Sequence, residues 1–596
     1  MIASRSLTTT LKDVGIETSI VVRHLIVWMV EALVLIGLAK WIPGIRITGF
    51  GDALVVILAL ATINAFVMPG LFRIAVHMRA FLFPIATFFL DGSTLVALDS
   101  LLPNWDVDGW LVSGVIAGIL TIVASVLGSI LALSDEQAWQ RYSLGPMRSR
   151  YLRGQATIPQ AHGFIFLEID GLAEPVLRDA IARGYVPNMA SWLRSGSHCL
   201  ARWECDLSSQ TSASQAGILL GNNANVPAFR WYDKELRRVI VSNHFRDSAL
   251  LQERLSSGDG LLRDNGASRG NLFSGDAPDS LFTFSTLGDR GQGGNNKYWF
   301  FYANLFNIAR TLALFVADIF RELAANLWQQ LRNERPRVHR GGVYPFARAA
   351  TTSLLREFST FTVAGDMMRG VASVYTTYLA YDEVAHHSGI ARGDTLRVLK
   401  AVDRDIGRLA RVAADTTRPY HLVVLSDHGQ SQGATFRQEY GVTLRELVEQ
   451  TIAGYPGHHA GEAVIGNGNG GTDEGWQGLS ALLTDVLVRD RQAHPMMQRA
   501  FRRKITDGEV HLGYQEREFA ADAGVVVLAS GSLGLISFPG WAERVTLEEI
   551  EVEFPALIPA LVEHPGIGFI VVATKENGPV VLGSKGVYIL DEDRAV

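Results

Sequence analysis

The sequence predicts an α/β domain preceded by a segment of four membrane-spanning helices. Three observations lead to this fold class. Long apolar stretches crowd the first 133 residues, apolar runs alternate with helix-like stretches after residue 163, and three of those runs end in aspartate. With 596 residues the chain is too long for one ordinary core. We therefore expect a transmembrane domain over 1–133, a tether over 134–160 and one large domain over 161–596.

The composition narrows the class of protein. Hydrophobic residues make up 48% of the chain and charged residues 19%, against about 25% charged residues in typical soluble domains. This excludes a disordered chain and disfavours a wholly soluble one. The net charge of −6 disfavours nucleic-acid binding, which relies on basic surfaces. Cys199 and Cys205 are too few for a disulfide framework or a four-thiolate zinc site, so histidines and carboxylates must hold any metal.

Four apolar stretches near the N-terminus are each about 20 residues long, which is enough to cross a bilayer as a helix. The first contains Glu31 and the third Asp91. These acids are costly in lipid and mark either an ion path or a hydrogen bond between helices, and we favour the hydrogen bond. Buried core helices are the alternative for all four stretches, and a signal peptide is the alternative for the first. The stretches cover residues 24–42, 53–72, 80–98 and 110–133.

The basic residues beside these stretches predict the topology. Nine Lys or Arg residues flank one side of the four spans and two flank the other. Because Lys and Arg collect on the cytoplasmic side, both termini are expected there. The sequence therefore predicts a multi-pass protein of the inner or plasma membrane whose large domain is cytoplasmic.

Three apolar runs in the large domain end in acidic residues. The run 164–169 ends in Asp170-Gly171, the run 374–381 ends in Asp382, and the run 421–426 ends in Asp427-His428. In open α/β sheets the ligands bind beyond the carboxyl ends of the strands. We therefore expect the three aspartates to meet at one edge of a sheet.

The neighbours of these aspartates suggest metal binding. Asp382 and His386 are four residues apart, so one helical turn places them on the same face. Asp427 and His428 form an adjacent carboxylate–imidazole pair. Oxygen and imidazole ligands without thiolates suit zinc, with manganese and iron as less specific alternatives. Taken singly, each pair is also what a surface helix or a turn contains.

A further segment supplies a candidate nucleophile. Residues 208–221 place Ser and Thr hydroxyls, including Thr211, in front of an Ala/Gly/Leu helix pattern. The amides of a helix N-terminus favour a phosphate, and a Thr hydroxyl beside a divalent metal can act as a nucleophile. The alternative for Thr211 is an ordinary helix N-cap.

Taken in order, these motifs over about residues 161–450 resemble the alkaline phosphatase superfamily, in its nucleotide pyrophosphatase/phosphodiesterase branch. The N-terminal segment, with Ile63-Asn64 and apolar runs broken by proline, resembles the mycobacterial-type phage holin family 4. The first resemblance implies an alkaline-phosphatase-like central sheet flanked by helices. The sulfatase branch is disfavoured because Cys205 lacks its sequence context.

The resemblance also implies two metal sites, commonly of zinc. Asp170, Thr211, Asp427 and His428 match the positions that hold the metal beside the nucleophile, and Asp382 and His386 match two of three ligands of the other metal. The family's third ligand is a histidine followed by glycine. None of the later histidines has that context, so we expect it beyond Val596, and a lost ligand is the alternative. These histidines are His458, His459, His494, His511 and His564.

The predicted function is that of a membrane-tethered two-metal phosphoester hydrolase with Thr211 as nucleophile. Its expected partners are membrane lipid and a phosphoester substrate, either a nucleotide or a lipid headgroup. Two alternatives stay open: a lipid-headgroup phosphotransferase, and a membrane pore or scaffold protein whose large domain has lost catalysis. The apolar segment 298–328 is expected to be a cap or interfacial helix, with a fifth span as the alternative.

Overall fold

The computed structural model describes most of the chain, which divides into two compact units. The first unit comprises Met1–Ala161, Gly293–Gly370 and Val412–Pro419, and the second comprises His162–Gln292, Val371–Arg411 and Tyr420–Val596. The described residues are 3–75, 82–131, 136–151, 161–287, 301, 304–335, 337–338, 340–342, 344–453, 505–506, 509–510, 524–590 and 594–595.

Four long helices form where the four apolar stretches were predicted. Two short strands pair antiparallel between them, with Ile45 opposite Val107. Of the described residues, only Val22–Trp41 is both long and apolar enough for a membrane span, while the apolar helical parts Phe50–Asn64 and Gly109–Ala124 are shorter. The elements are α1 (Ala3–Trp41), β1 (Ile45–Ile47), α2 (Phe50–Ala75), α3 (Leu82–Asp99), β2 (Trp105–Val107) and α4 (Gly109–Leu131).

A buried polar contact ties three of these helices together. Asn64 Nδ2 donates to Asp91 Oδ1 at 2.8 Å, and Thr121 Oγ1 donates to Asp91 Oδ2 at 3.2 Å. These bonds link α3 to α2 and to α4. Asp91 therefore makes hydrogen bonds between helices, which was the interpretation favoured over an ion path. At Gly92 an added Cβ would lie 3.3 Å from the Cα of Gly114, so α3 and α4 approach closely at these glycines.

Part of the region expected as a tether is helical. Helix α5 (Glu136–Trp139), a π-helical turn (Gln140–Leu144) and α6 (Gly145–Tyr151) follow one another. Trp139, Leu144 and Met147 are buried, and Ser143 donates to Asn307 at 2.6 Å. The described part of 134–160 therefore packs within the first unit and is not a free linker.

The second unit is built on a five-stranded parallel sheet with the strand order β7-β6-β8-β3-β9. Strand β3 lies between β8 and β9, and its residues Ile165 and Leu167 are completely buried. The strands are β3 (Gly163–Ile169), β6 (Gly266–Arg269), β7 (Asp279–Leu281), β8 (Ser373–Tyr378) and β9 (Tyr420–Leu425), and the hairpin strands are β4 (Arg230–Asp233) and β5 (Arg238–Val241).

Helices connect these strands. Those between β3 and β7 are α7 (Glu174–Ala182), α8 (Pro187–Ser195), α9 (Thr211–Leu220) and α10 (Phe245–Leu255). Those between β7 and β9 are α11 (Leu305–Leu331), α12 (Tyr344–Ala349), α13 (Arg356–Met368), α14 (Ala380–Ser388) and α15 (Gly393–Asp415), with a π-helical segment at Ala350–Leu355. Helices α11 to α13 belong to the first unit, although 293–370 was predicted within the large domain.

The C-terminal part adds helices and antiparallel strands to the second unit, around a core that includes Val448, Phe554 and Val580. The strands Ile570–Thr574 and Gly578–Gly583 pair antiparallel and form a hairpin. The elements are α16 (Phe436–Tyr440), α17 (Leu444–Ile452), β10 (Ile505–Thr506), β11 (Glu509–Val510), β12 (Val526–Ser530), β13 (Leu533–Ser537), α18 (Leu547–Glu553), α19 (Leu557–Glu563), β14 (Ile570–Thr574), β15 (Gly578–Gly583), β16 (Gly586–Ile589) and β17 (Arg594–Ala595).

Candidate active site

The carboxyl ends of β3 and β9 bring three predicted ligands together. Asp170 directly follows β3, and Asp427 and His428 follow the neighbouring parallel strand β9. Ligand atoms of these three residues all lie within 4.8 Å of one another. His428 Nε2 is 3.4 Å from Asp170 Oδ1 and 3.5 Å from Asp427 Oδ2. The convergence arises because neighbouring parallel strands end at the same edge of the sheet.

Thr211 lies at the same edge, at the start of α9. Its Oγ1 is 3.3 Å from Asp170 Oδ1 and 3.0 Å from His428 Nε2. The N-cap position of the helix is held by Gln210, and Thr211 is the first helical residue. The Thr211 hydroxyl therefore contacts the acidic and imidazole groups and does not serve as the cap of its own helix.

The turn that leads into α9 is strained. Ser209 adopts a φ of 46°, which is uncommon for a residue with a side chain. Gln210, the residue after Ser209, is held in place by hydrogen bonds between its side chain and Ser530. Strained backbone of this kind is common where a functional side chain must be aimed.

The cluster formed by Asp170, Asp427, His428 and Thr211 fits a divalent cation. Asp427 Oδ1 accepts a hydrogen bond from the Gly171 amide at 3.2 Å, but Asp427 Oδ2 is buried and has no hydrogen-bond partner among the described residues. A buried carboxylate oxygen without a donor is costly, and a cation would satisfy it. Two carboxylates, one imidazole and one hydroxyl form a donor set suited to zinc or a similar ion.

The charges around His428 are consistent with this fit. Burial lowers the pKa of His428, but the negative charges of Asp427 and Asp382 outweigh it and leave this pKa above the usual value. Such a surplus of negative charge around one imidazole attracts any cation, whether a proton or a metal ion.

Asp382 and His386 form the second predicted pair. His386 Nε2 lies 3.2 Å from Asp382 Oδ2, one turn apart on α14. Burial raises the pKa of Asp382, but the charge and hydrogen bond of His386 and the charge of His428 lower it to about 2. Gln430 donates to the other Asp382 oxygen. The prediction that Asp382 ends a strand is wrong, since β8 stops at Tyr378 and Asp382 lies in the first turn of α14.

Gly171 lies between the two clusters and has to be glycine. Its φ is +68°, and an added Cβ would overlap the Asp382 carboxylate. Its amide meanwhile donates to Asp427. The turn after β3 therefore holds the Asp170–Asp427–His428 cluster and the Asp382–His386 pair close to each other.

The sequence did not predict a buried polar network that lies beneath the site. Gln215, one turn after Thr211, donates to Glu168 Oε1 at 2.7 Å and to Thr377 Oγ1 at 3.0 Å, and it accepts from the Leu272 amide. Tyr375 also donates to Glu168. Burial, and then the charge of Asp427, raise the pKa of Glu168 to about 8. The available signal was a glutamate near the end of an otherwise apolar strand.

The predicted third histidine ligand is not identified. His564 follows α19, and its ring packs on Phe436 and Tyr440 with centroid distances of 4.9 and 4.8 Å. Cys199 and Cys205 are both free. The other later histidines, which also lack the expected sequence context, lie outside the described residues, namely His458, His459, His494 and His511.

Comparison with known families agrees with this geometry. The type I phosphodiesterase / nucleotide pyrophosphatase family matches residues 164–469, which include all six predicted site residues. The mycobacterial 4 TMS phage holin superfamily IV matches residues 22–127. No curated protein and no solved structure matches the chain. Both predicted resemblances are confirmed, and the N-terminal match indicates a membrane location. The chain belongs to the type I phosphodiesterase / nucleotide pyrophosphatase family.

Proposed function

We propose that this protein is a membrane-bound, divalent-metal-dependent phosphoester hydrolase with Thr211 as its nucleophile. The observation that carries the proposal is the convergence of the Thr211 hydroxyl with Asp170 and His428, beside an Asp427 oxygen that has no hydrogen-bond partner among the described residues. The family match supports phosphoester hydrolysis, and the geometry adds a role for each side chain.

The residues would hold cations at two adjacent places. Asp170, Asp427 and His428, with the Thr211 hydroxyl, would hold one, and Asp382 and His386 would contribute to the second. When bound, such a cation lowers the pKa of a coordinated hydroxyl and neutralises charge on phosphoryl oxygens. We propose zinc, with manganese as the alternative, because the ligands are carboxylates and imidazoles.

The protein's own groups then perform the transfer. The Thr211 hydroxyl loses its proton as Oγ1 attacks phosphorus, and the bond from phosphorus to the leaving oxygen breaks. The leaving oxygen keeps the bonding electrons and takes up a proton. The amides of the first turn of α9 favour the anionic phosphate at this position. Water next attacks the phosphorus of this Thr211 phosphodiester intermediate, and the bond from phosphorus to Oγ1 breaks. A proton of the water returns to Oγ1, and the phosphate monoester is released. The His386 side chain is 37% exposed, so it lies where this water can enter.

The membrane location and the substrate complete the proposal. Similarity to the holin superfamily supports four N-terminal spans, and the excess of basic residues on one side supports a cytoplasmic catalytic unit. We propose a phosphodiester substrate, either a nucleotide or a lipid headgroup. A lipid-headgroup phosphotransferase would differ only in passing the phosphoryl group to an alcohol. A scaffold that has lost catalysis would have no need for a buried Asp427 oxygen that lacks a hydrogen-bond partner among the described residues.

The purified full-length protein is expected to hydrolyse a p-nitrophenyl phosphodiester only when zinc or manganese is present. Without a cation the Thr211 hydroxyl keeps its high pKa and is a poor nucleophile. Turnover is followed by the release of p-nitrophenolate before and after treatment with a chelator, with metal added back as the control. Turnover that resists the chelator, or none with either metal, contradicts the proposal.

A further inference from the structure

Helix α11 exposes a continuous apolar stripe along one face. At about 1.5 Å per residue its 27 residues span roughly 40 Å. Six apolar side chains recur every three or four residues and are between 47% and 68% exposed. This spacing places them on one side of the helix. These residues form the α11 stripe: Leu312, Val316, Phe320, Leu323, Leu327 and Leu331.

The opposite face of α11 is fixed by buried ion pairs. Arg310 makes two 3.1 Å hydrogen bonds to Glu357 of α13. Glu322 accepts from Arg340 at 2.5 Å, and both side chains are completely buried. Breaking such a pair leaves an uncompensated buried charge, so the helix cannot rotate to hide its apolar side. The α11 stripe therefore faces away from the first unit.

The stripe belongs to the same compact unit as the holin-like helices. Helix α11 packs against α4. On α4, Leu111, Val115 and Ile122 are themselves 79%, 48% and 60% exposed. If a bilayer covers these α4 side chains, it also lies next to α11, because α11 packs against α4. Monomeric soluble proteins rarely leave apolar surfaces of this extent uncovered.

The C-terminal end of α11 has the residues of a membrane interface. Trp328 is 56% exposed, and the Arg332 guanidinium lies 5.2 Å from the centre of its ring. Arg335 and Arg337 follow and are exposed. Tryptophan favours the headgroup level, and arginines there attract anionic lipids.

From these features we infer that the α11 stripe contacts the acyl chains at the surface of an anionic phospholipid bilayer. Helix α11, which lies within the residues of the phosphodiesterase match, then forms a second membrane attachment next to α1–α4. This inference rests on the proposed membrane location and does not depend on the catalytic assignment. It favours the interfacial alternative for segment 298–328.

Site-directed spin labelling of the full-length protein tests the contact. Phe320→Cys is labelled in a Cys199→Ser, Cys205→Ser background and reconstituted in vesicles of phosphatidylcholine and phosphatidylglycerol. Val552→Cys is the matched control, because Val552 is also apolar and is 83% exposed on the second unit. Collision rates with oxygen, which concentrates in lipid, are compared with those of a water-soluble nickel complex.

We expect the ratio of oxygen to nickel collisions to be several-fold higher at position 320 than at position 552. Equal ratios would show that the stripe faces water and would overturn the inference. Low collision rates with both reagents, together with spin–spin broadening at position 320, would show that a second copy covers the stripe and would also overturn it. No turnover is measured, so a failure of the catalytic proposal leaves this test intact.

Discussion

A threonine hydroxyl is a weak nucleophile, so its surroundings decide whether Thr211 can react. Its Oγ1 lies 3.0 Å from His428 and 3.3 Å from Asp170, and the nearby Asp427 oxygen lacks a donor among the described residues. An ordinary helix residue needs none of these neighbours. The reactivity of Thr211 therefore depends on how tightly the turn after β3 holds these acids.

Gly171→Ala is expected to abolish turnover because its methyl group would displace the Asp382 carboxylate. A left-handed φ also costs a non-glycine residue about 1–2 kcal/mol. Gly184→Ala is the matched control, since Gly184 has a φ of +72° but nothing within 4 Å of an added Cβ. In thermal melts the left-handed φ should cost both variants a similar amount of stability. The clash with Asp382 should destabilise Gly171→Ala further. Full activity in Gly171→Ala would show that Asp382 is not needed where it lies.

At the scale of elements, the Glu168–Gln215 contact holds α9 against β3, and Thr211 lies one turn away on the same helix. The raised pKa of Glu168 means that the folded protein prefers its carboxyl protonated. An unfolded chain would lose that proton near the ordinary glutamate pKa of 4.5. The contribution of Glu168 to stability is therefore full below pH 4.5 and is lost as the pH rises towards about 8.

Glu168→Gln should therefore flatten the fall in stability between these two pH values, because glutamine has no proton to lose. Urea unfolding across this pH range, with a chelator present to remove any metal contribution, measures the effect. The exposed substitution Glu439→Gln is the control and should leave the parent profile unchanged. A Glu168→Gln profile that falls as steeply as the parent would mean that Glu168 is ionised in the folded protein throughout.

The elements that carry the site were largely predictable from the sequence. Asp170 and Asp427 follow apolar runs that do form neighbouring strands, and His386 does lie one turn after Asp382. The end of β8 was misplaced because Ala380 and Tyr381 are as buried as the strand before them, although they are already helical. Hydrophobicity alone does not distinguish a buried strand from the first turn of a buried helix.

At the scale of the whole molecule, the division into units could not be predicted. Helices α11 to α13 lie inside the family match yet belong to the first unit. Ion pairs between distant residues hold these helices together. Arg310 and Glu357, for example, are 47 residues apart in sequence, so no local sequence pattern predicts that they pair. The polar network around Glu168 was not predicted for the same reason, because Gln215 makes hydrogen bonds to residues of two separate strands.

The predicted topology can be tested with two cysteine variants in a background that lacks Cys199 and Cys205. Leu101, between α3 and α4, and Val552, in the second unit, are 72% and 83% exposed. Because of the asymmetry of basic residues, an impermeant maleimide should label Leu101→Cys in intact cells. It should label Val552→Cys only after the membrane is permeabilised. The reverse pattern would place the catalytic unit outside the cytoplasm.

Turnover of the p-nitrophenyl phosphodiester by Thr211→Ala and Thr211→Ser, with metal present, shows directly whether Thr211 is the nucleophile. We expect turnover to fall by several orders of magnitude in Thr211→Ala, which lacks the attacking oxygen, and to be partly retained in Thr211→Ser, which keeps it. Alanine variants of the neighbouring hydroxyls Ser209, Ser212 and Ser214 are the controls and should stay active. A Thr211→Ala enzyme that turns over near the parent rate would contradict the assignment of Thr211 as the nucleophile.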